Sequence, residues 1–160
     1  MRHSALYLAA LVALVLDQVS KIGVIFGLDL VTRLHLDVLP PLLTFRYGEN
    51  RGINFGLFDG DGDSSRWVLI GLSLVISVAV FLWVRRSHAK SRLMQISAGL
   101  VIGGALGNVV DRVLYGYVLD FLNMACCGFN NPYVFNVADI FIFGGAAGLI
   151  LFEGRAKKLA

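Results

Sequence analysis

Charge, cysteine and histidine are all scarce in this chain, and each scarcity removes a class of explanation. Acidic and basic residues together make up 16% of the 160 residues, against about 25% in a typical soluble domain. Apolar residues make up 57%, more than a globule of this size has interior to hide. The composition excludes disorder and points to a lipid bilayer. The two cysteines, Cys126 and Cys127, are adjacent and supply neither a disulfide framework nor a spaced zinc knuckle. His3, His35 and His88 lie outside every long apolar run, which argues against a zinc or thiol site within the membrane.

What is abundant is the long apolar run. A membrane-crossing helix needs about 20 largely apolar residues, and four stretches qualify: Ala5 to Phe26, Trp67 to Val84, Leu93 to Leu114, and Phe135 to Phe152. The first resembles a signal peptide because Arg2 and His3 precede it. It has no small-residue cleavage site after Leu16, however, and Asp17, Ser20 and Lys21 interrupt a run that resumes through Phe26. It is read as an uncleaved first helix, which makes the chain a single α-helical integral membrane domain of four spans over residues 1–160.

Basic residues set the orientation. Eight of the fourteen lie at Arg2, at Arg85, Arg86, Lys90 and Arg92, and at Arg155, Lys157 and Lys158, three segments that share one side of a four-span protein. The segment from Asp29 to Arg66 also holds four arginines, offset by Asp29, Asp37, Glu49, Asp59, Asp61 and Asp63. The termini and the loop near Ser87 are therefore placed in the cytoplasm, and the loop from Asp29 to Arg66 and the segment from Tyr115 to Val134 outside. The net charge of +3 is then a topology signal suited to anionic membrane lipid, and no nucleic-acid partner is implied.

In the outer loop Leu34, Leu36 and Val38 alternate with polar residues, Pro40 and Pro41 break the run, and Leu43, Phe45 and Tyr47 alternate again. Period-two patterning predicts short strands, so a small β-rich element is expected above the membrane. Asp59 to Asp63 resembles a calcium loop but has Ser64 and Ile70 where such a loop needs Gly and Glu, and is read as a turn. Gly99, Gly103 and Gly107 recur every four residues on the third span, and Gly144 with Gly148 repeats the spacing on the fourth. Both stripes predict close helix contacts.

Ionisable and amide residues within spans are costly and are functional candidates by default. Asp17 lies about 12 residues, or ~18 Å, along the first helix, past the midplane toward the outer face. Lys21 lies one turn further on the same side. The third span runs outward, bringing Asn108, Asp111 and Arg112 to the same boundary. Asp120 follows just beyond Gly116, and Asn136 and Asp139 open the inward-running fourth helix. Four separate segments thus deliver polar residues to one level.

Carboxylates are the chemistry left at that level. No serine is paired with a histidine base, and Ser20 and Lys21, adjacent on a helix, point apart. Two aspartates sharing a site do not both ionise easily, so one keeps its proton as an acid while the other activates water. Asp120 and Asp139 are the best pair, since both stand where water is available. The arithmetic equally allows Asp139 to be a first-turn residue suited to a helix dipole. A proton-coupled exporter also carries buried acids, but near the midplane and often with inverted repeats; here the acids crowd the outer face and no repeat is visible. An assembly factor using the aspartates only as hydrogen-bonding groups would tolerate Asn in their place.

Five stretches carry a resemblance: Asp17-Gln-Val-Ser-Lys21, Asn50-Arg-Gly-Ile-Asn-Phe-Gly56, Gly103-Gly-Ala-Leu-Gly-Asn-Val-Val-Asp-Arg112, Gly116-Tyr-Val-Leu-Asp-Phe121 and Phe135-Asn-Val-Ala-Asp139. In this order they resemble the motifs of lipoprotein signal peptidase, or signal peptidase II. One departure is Asn54, where the family more often has a small residue. The resemblance implies an intramembrane aspartyl endopeptidase of the bacterial inner membrane that uses no metal or cofactor. It would cut diacylglyceryl-modified prolipoproteins before the lipidated cysteine and bind cyclic peptide inhibitors of the globomycin type. It implies Asp120 and Asp139 as the catalytic dyad. Asn108, Asp111, Arg112 and Asn136 would orient the dyad and bind substrate backbone, Asn50 and Gly52 would contact substrate from the loop, and Asp17 with Lys21 would support the site.

Overall fold

Two periodicities alternate along the chain, and they become two kinds of layer. The computed structural model describes residues 3–52, 63–87, 91–126 and 131–157. Asn54, Gly56, His88, Cys127 and all but the last residue of the turn expected from Asp59 to Asp63 lie outside the described residues; Asp63 itself opens α3. The elements are α1 (Ser4–Lys21), a π-helical turn (Ile22–Gly27), α2 (Leu30–Arg33), β1 (His35–Leu39), β2 (Leu43–Asn50), α3 (Asp63–Ser87), α4 (Arg92–Tyr115), β3 (Val118–Met124) and α5 (Val137–Lys157).

Among the described residues, four helices are long and apolar enough to cross a membrane: Ser4–Gly27, Ser64–Ser87, Arg92–Tyr115 and Val137–Gly154. The four-helix membrane architecture read from the sequence is the one observed. Helix α1 shows how the pattern works. Leu6, Ala13, Asp17 and Lys21 are buried on one face, while Leu8, Leu11, Val15 and Val19 are exposed on another, as expected of a helix with a protein side and a lipid side. Helix α4 is the centre of the bundle: 61% of its apolar window is buried against protein, compared with 28% for α1, 17% for α3 and 22% for α5.

Small residues on α4 let its neighbours come close. A side chain at Gly99 would meet the Leu6 carbonyl oxygen at 2.5 Å, one at Gly103 would collide with that of Ala10, and one at Gly107 would meet Asp17 Oδ2 at 2.5 Å. The glycine stripe predicted on the third span is therefore the α1–α4 contact. On α5 the expected Gly144–Gly148 spacing is corrected. Gly148 approaches Ser97 of α4 as expected, but Gly144 faces open space and Gly145 meets Ser97 in its place, because the contact follows the i, i+3 row of the helix and not the i, i+4 row.

Strands β1, β2 and β3 form an antiparallel sheet in that order. Alternation in the sequence predicted β1 and β2 but gave no sign of β3. The reason is physical: Val118, Leu119, Asp120 and Phe121 are all buried, so both faces of the strand are covered and period-two patterning is lost. Phe135, at the head of the last apolar run, pairs with Leu122 as an isolated bridge, and α5 opens after it. An apolar cluster of Ile25, Leu30, Leu119 and Phe121 packs under the sheet, and a second of Leu6, Val84, Met94, Ala98, Val101, Ile102 and Leu149 fills the bundle. Asp17, Lys21, Asn108, Asp111, Asp120 and Asn136, all buried, form a third group, at the end of the bundle where α1 and α4 finish, α5 begins and the sheet is attached.

Candidate active site

Each polar side chain reaches this level for a local reason. Gly116 caps α4 with φ of 90°, a left-handed backbone that glycine adopts without steric cost. It turns the chain directly into β3 and so sets Asp120. Asn136 immediately precedes α5 and accepts the Asp139 N–H through Oδ1 at 3.0 Å, while its own N–H donates to Asp139 Oδ2 at 3.2 Å. This reciprocal pair has the form of a capping box and fixes Asp139 in the first turn of α5.

The two aspartates are linked through amides. Asn136 Nδ2 donates to Asp120 Oδ1 at 2.6 Å and to Asn108 Oδ1 at 3.2 Å, and Asn108 Nδ2 donates to Asp139 Oδ1 at 3.2 Å. Asn50, at the end of β2, favours the ionised Asp120 carboxyl through its side chain, while its Oδ1 accepts the Gly52 N–H at 3.0 Å. Gly52 itself has φ of 90°, so the turn that aims Asn50 requires a glycine. Burial first, and then the negative charge of Asp139, push the Asp120 carboxyl up to about 7, against smaller opposing effects of Asn136, Asn50 and Lys21.

A second cluster lies directly beneath. Lys21 Nζ is 2.8 Å from Asp17 Oδ2 and 2.7 Å from Asp111 Oδ2, and donates to Asn108 Oδ1 at 3.3 Å. All three residues of this ion cluster are almost wholly buried. Ser20 turns away and donates to the Asp17 backbone carbonyl at 2.7 Å. Arg112 is half-buried, donates to the Asn108 carbonyl at 3.4 Å, and brings positive charge near Asp111, Asp120 and Asp139. The structure thus gathers all ten residues expected from the sequence into one neighbourhood, with Gly52 contributing through its backbone.

A pair of linked aspartates at the end of an apolar bundle suits acid–base hydrolysis, and comparison with known proteins gives the arrangement a family. The family model for signal peptidase (SPase) II matches residues 9–153. The chain belongs to the signal peptidase II family. It is similar to the lipoprotein signal peptidase of Methylobacterium radiotolerans, 46% identical over 90% of this chain and 82% of that protein. It is also similar to that of Caulobacter vibrioides, 42% identical over 96% and 90% respectively. A solved structure described as a bacterial membrane enzyme determined by the in meso method at 1.9 Å superposes with a TM-score of 0.74 and 26% identity, covering 90% of this chain and 88% of that one. As a signal peptidase II, the protein is a multi-pass membrane hydrolase of an aspartic-type peptidase family.

Two features of this peptidase escaped the sequence reading. Gln18 Nε2 reaches Asp17 Oδ2 at 3.1 Å, the Gly107 carbonyl at 3.3 Å and Asp111 Oδ1 at 3.0 Å. Its position between Asp17 and Lys21 was the only available signal. On the sheet rim, Tyr47 OH donates to Glu49 Oε1 at 3.2 Å and lies 3.3 Å from Tyr117 OH. Arg51 donates to Glu49 Oε2 at 2.7 Å and stacks over the Tyr117 ring at 5.1 Å. Burial, and then the contact with Tyr117, raise the Tyr47 phenol above its usual range.

Proposed function

We propose that this signal peptidase II removes signal peptides from diacylglyceryl-modified prolipoproteins by cutting before the lipidated cysteine, with Asp120 and Asp139 as its catalytic dyad. The observation that carries the reading is the amide bridge through Asn136 and Asn108, which ties the two carboxyls into one unit. Asp139 takes a proton from water, the water oxygen attacks the scissile carbonyl carbon, and Asp120 gives its proton to the carbonyl oxygen. Collapse of the tetrahedral intermediate breaks the C–N bond, and the leaving amine takes a proton from the dyad. A raised affinity of Asp120 for its proton supports its role as acid, and the donors that converge on Asp139 support that of base.

Around this pair, Asn108, Asn136, Asp111 and Arg112 orient the dyad and meet substrate backbone, Asn50 and Gly52 contact substrate from the β2 end, and Asp17 with Lys21 supports the site. The chain works as one membrane domain in the bacterial inner membrane, termini in the cytoplasm, with the site near the extracytoplasmic face. The clustering of basic residues in the terminal and Ser87 segments supports that orientation. Cleavage at this interface keeps the acyl chains in lipid while the peptide bond meets water, and cyclic peptides of the globomycin type bind at the same site. Incubating the purified protein with a diacylglyceryl-modified precursor peptide and with its unmodified counterpart tests the reading. Only the lipidated peptide is expected to yield a product, beginning at the modified cysteine. Equal cleavage of both, or of neither, would overturn it.

A further inference from the structure

The two buried carboxylates that do not belong to the dyad make a selective choice of backbone partners. Asp17 Oδ1 accepts the N–H of Ala138 at 2.9 Å, the residue immediately before Asp139. Asp111 Oδ2 accepts the N–H of Leu119 at 3.1 Å, the residue immediately before Asp120. Asp17 and Asp111 are joined by the same two side chains: Lys21 Nζ at 2.8 and 2.7 Å, and Gln18 Nε2 at 3.1 and 3.0 Å. The third donor position of the Lys21 ammonium goes to Asn108 Oδ1, and Asn108 Nδ2 continues to Asp139.

We infer that Gln18 and Lys21 cross-link Asp17 and Asp111 into a two-armed clamp that sets the separation of the catalytic pair, each arm gripping the backbone amide next to one catalytic aspartate. Gln18 is thereby a positioning residue, acting through Asp17 and Asp111 and touching neither dyad carboxyl. Asp120 stands on a strand and Asp139 on a helix; the Phe135–Leu122 pairing and Asn136 join them on one side, and the clamp holds the backbone of each segment on the other. Helices α1 and α4, held together at Gly99, Gly103 and Gly107, provide a rigid base, and the clamp carries that rigidity to both segments. Four acceptor oxygens and the donors of one ammonium and one amide leave little freedom in the cluster.

This inference rests on the dyad assignment, and the test separates the two. Amide hydrogen exchange at Leu119 and Ala138 is measured in the full-length protein in lipid nanodiscs, together with kcat and KM for a lipidated precursor peptide. Asp17→Ala is expected to speed exchange at Ala138 by about tenfold or more and leave Leu119 within about twofold; Asp111→Ala should do the reverse. Gln18→Leu strands no charge and keeps the volume, and should loosen both amides. It should lower kcat by about 10- to 100-fold, the scale of a small misplacement of reacting groups, with KM changed less than about threefold. Asp17→Asn and Asp111→Asn retain an acceptor oxygen, and should restore protection and most of kcat relative to the alanine variants. Equal loosening of both amides by Asp17→Ala and by Asp111→Ala, or full protection of both amides in Gln18→Leu, would overturn the clamp. Residue-specific loosening with cleavage unchanged in every variant would instead keep the clamp and overturn the dyad.

Discussion

Asn136 and Asp139 exchange hydrogen bonds across the first turn of α5, at 3.0 and 3.2 Å, and the same Asn136 donates to Asp120 at 2.6 Å. One residue therefore caps a helix and joins the two candidate catalytic carboxyls. Asn136→Ala is expected to cost about 1 kcal/mol as a lost cap and to lower cleavage by about 100-fold, since Asp139 and Asp120 are then fixed by fewer partners. Thermal unfolding and kcat in the same detergent separate these losses. A change in stability with normal kcat would limit Asn136 to capping.

The glycine stripe on α4 gives a steric prediction. A methyl at Gly107 would stand 2.5 Å from Asp17 Oδ2, where the carboxylate is engaged by Lys21, Gln18 and the Ala138 N–H. Gly107→Ala is expected to lower stability by about 1–3 kcal/mol, the usual cost of overpacking, and to reduce cleavage. Gly144→Ala, in open space, should change neither. Equal behaviour of the two variants would contradict the placement of α1 against α4.

Asp120 gives a pH dependence of defined sign. Its folded-state value of about 7 lies above the ordinary 3.8, so between about pH 4 and 7 the folded protein binds a proton that the unfolded chain has released. Stability contributed by this group is full at low pH, falls as pH rises through that window, and is constant above it. Burial is the largest cause and raises the value, Asp139 raises it further, and Asn136, Asn50 and Lys21 lower it. Asp120→Asn removes the titration. Its melting temperature relative to the parent should therefore rise from pH 4 to pH 7, while cleavage by the parent declines above about pH 7 as the shared proton is lost. A parent-to-variant difference independent of pH would contradict the buried, proton-holding Asp120.

The sequence displayed the membrane architecture because lipid imposes one rule, long apolar runs, with few competing signals. It displayed the site because each polar residue inside such a run is costly enough to stand out, as Asp17, Lys21, Asn108 and Asp111 do. Strand β3 was invisible because burial on both faces erases alternation. The i, i+3 contact row that brings Gly145 to α4 in place of Gly144 depends on packing that no single-helix pattern encodes. Gln18 was overlooked for a similar reason: an uncharged amide beside Asp17 carries little signal until Asp111, 93 residues away, is seen at its other side. Lys21, expected to neutralise Asp17 alone, also meets Asp111. Loss of either carboxylate thus leaves the ammonium one carboxylate and the Asn108 side-chain oxygen.

Orientation is tested independently of chemistry. Reporter fusions after Ala89 and after Ala160 are expected to read cytoplasmic, and one near Asp61 external, following the basic clusters at Arg85 to Arg92 and Arg155 to Lys158. An external signal at Ala160 would end the proposed four-span arrangement.

The catalytic pair itself is tested most directly by cleavage of a diacylglyceryl-modified precursor peptide by Asp120→Asn, Asp139→Asn and the double variant, with thermal stability followed in the same detergent. Asparagine keeps the size and much of the hydrogen bonding while removing the acid or base. Each single variant should fold, bind precursor and lose about 10³-fold or more in cleavage. The double variant should be scarcely worse, because groups acting as one unit are not additive. Robust cleavage by Asp139→Asn, or unfolding of both single variants, would contradict the account and return Asp120 and Asp139 to a structural role.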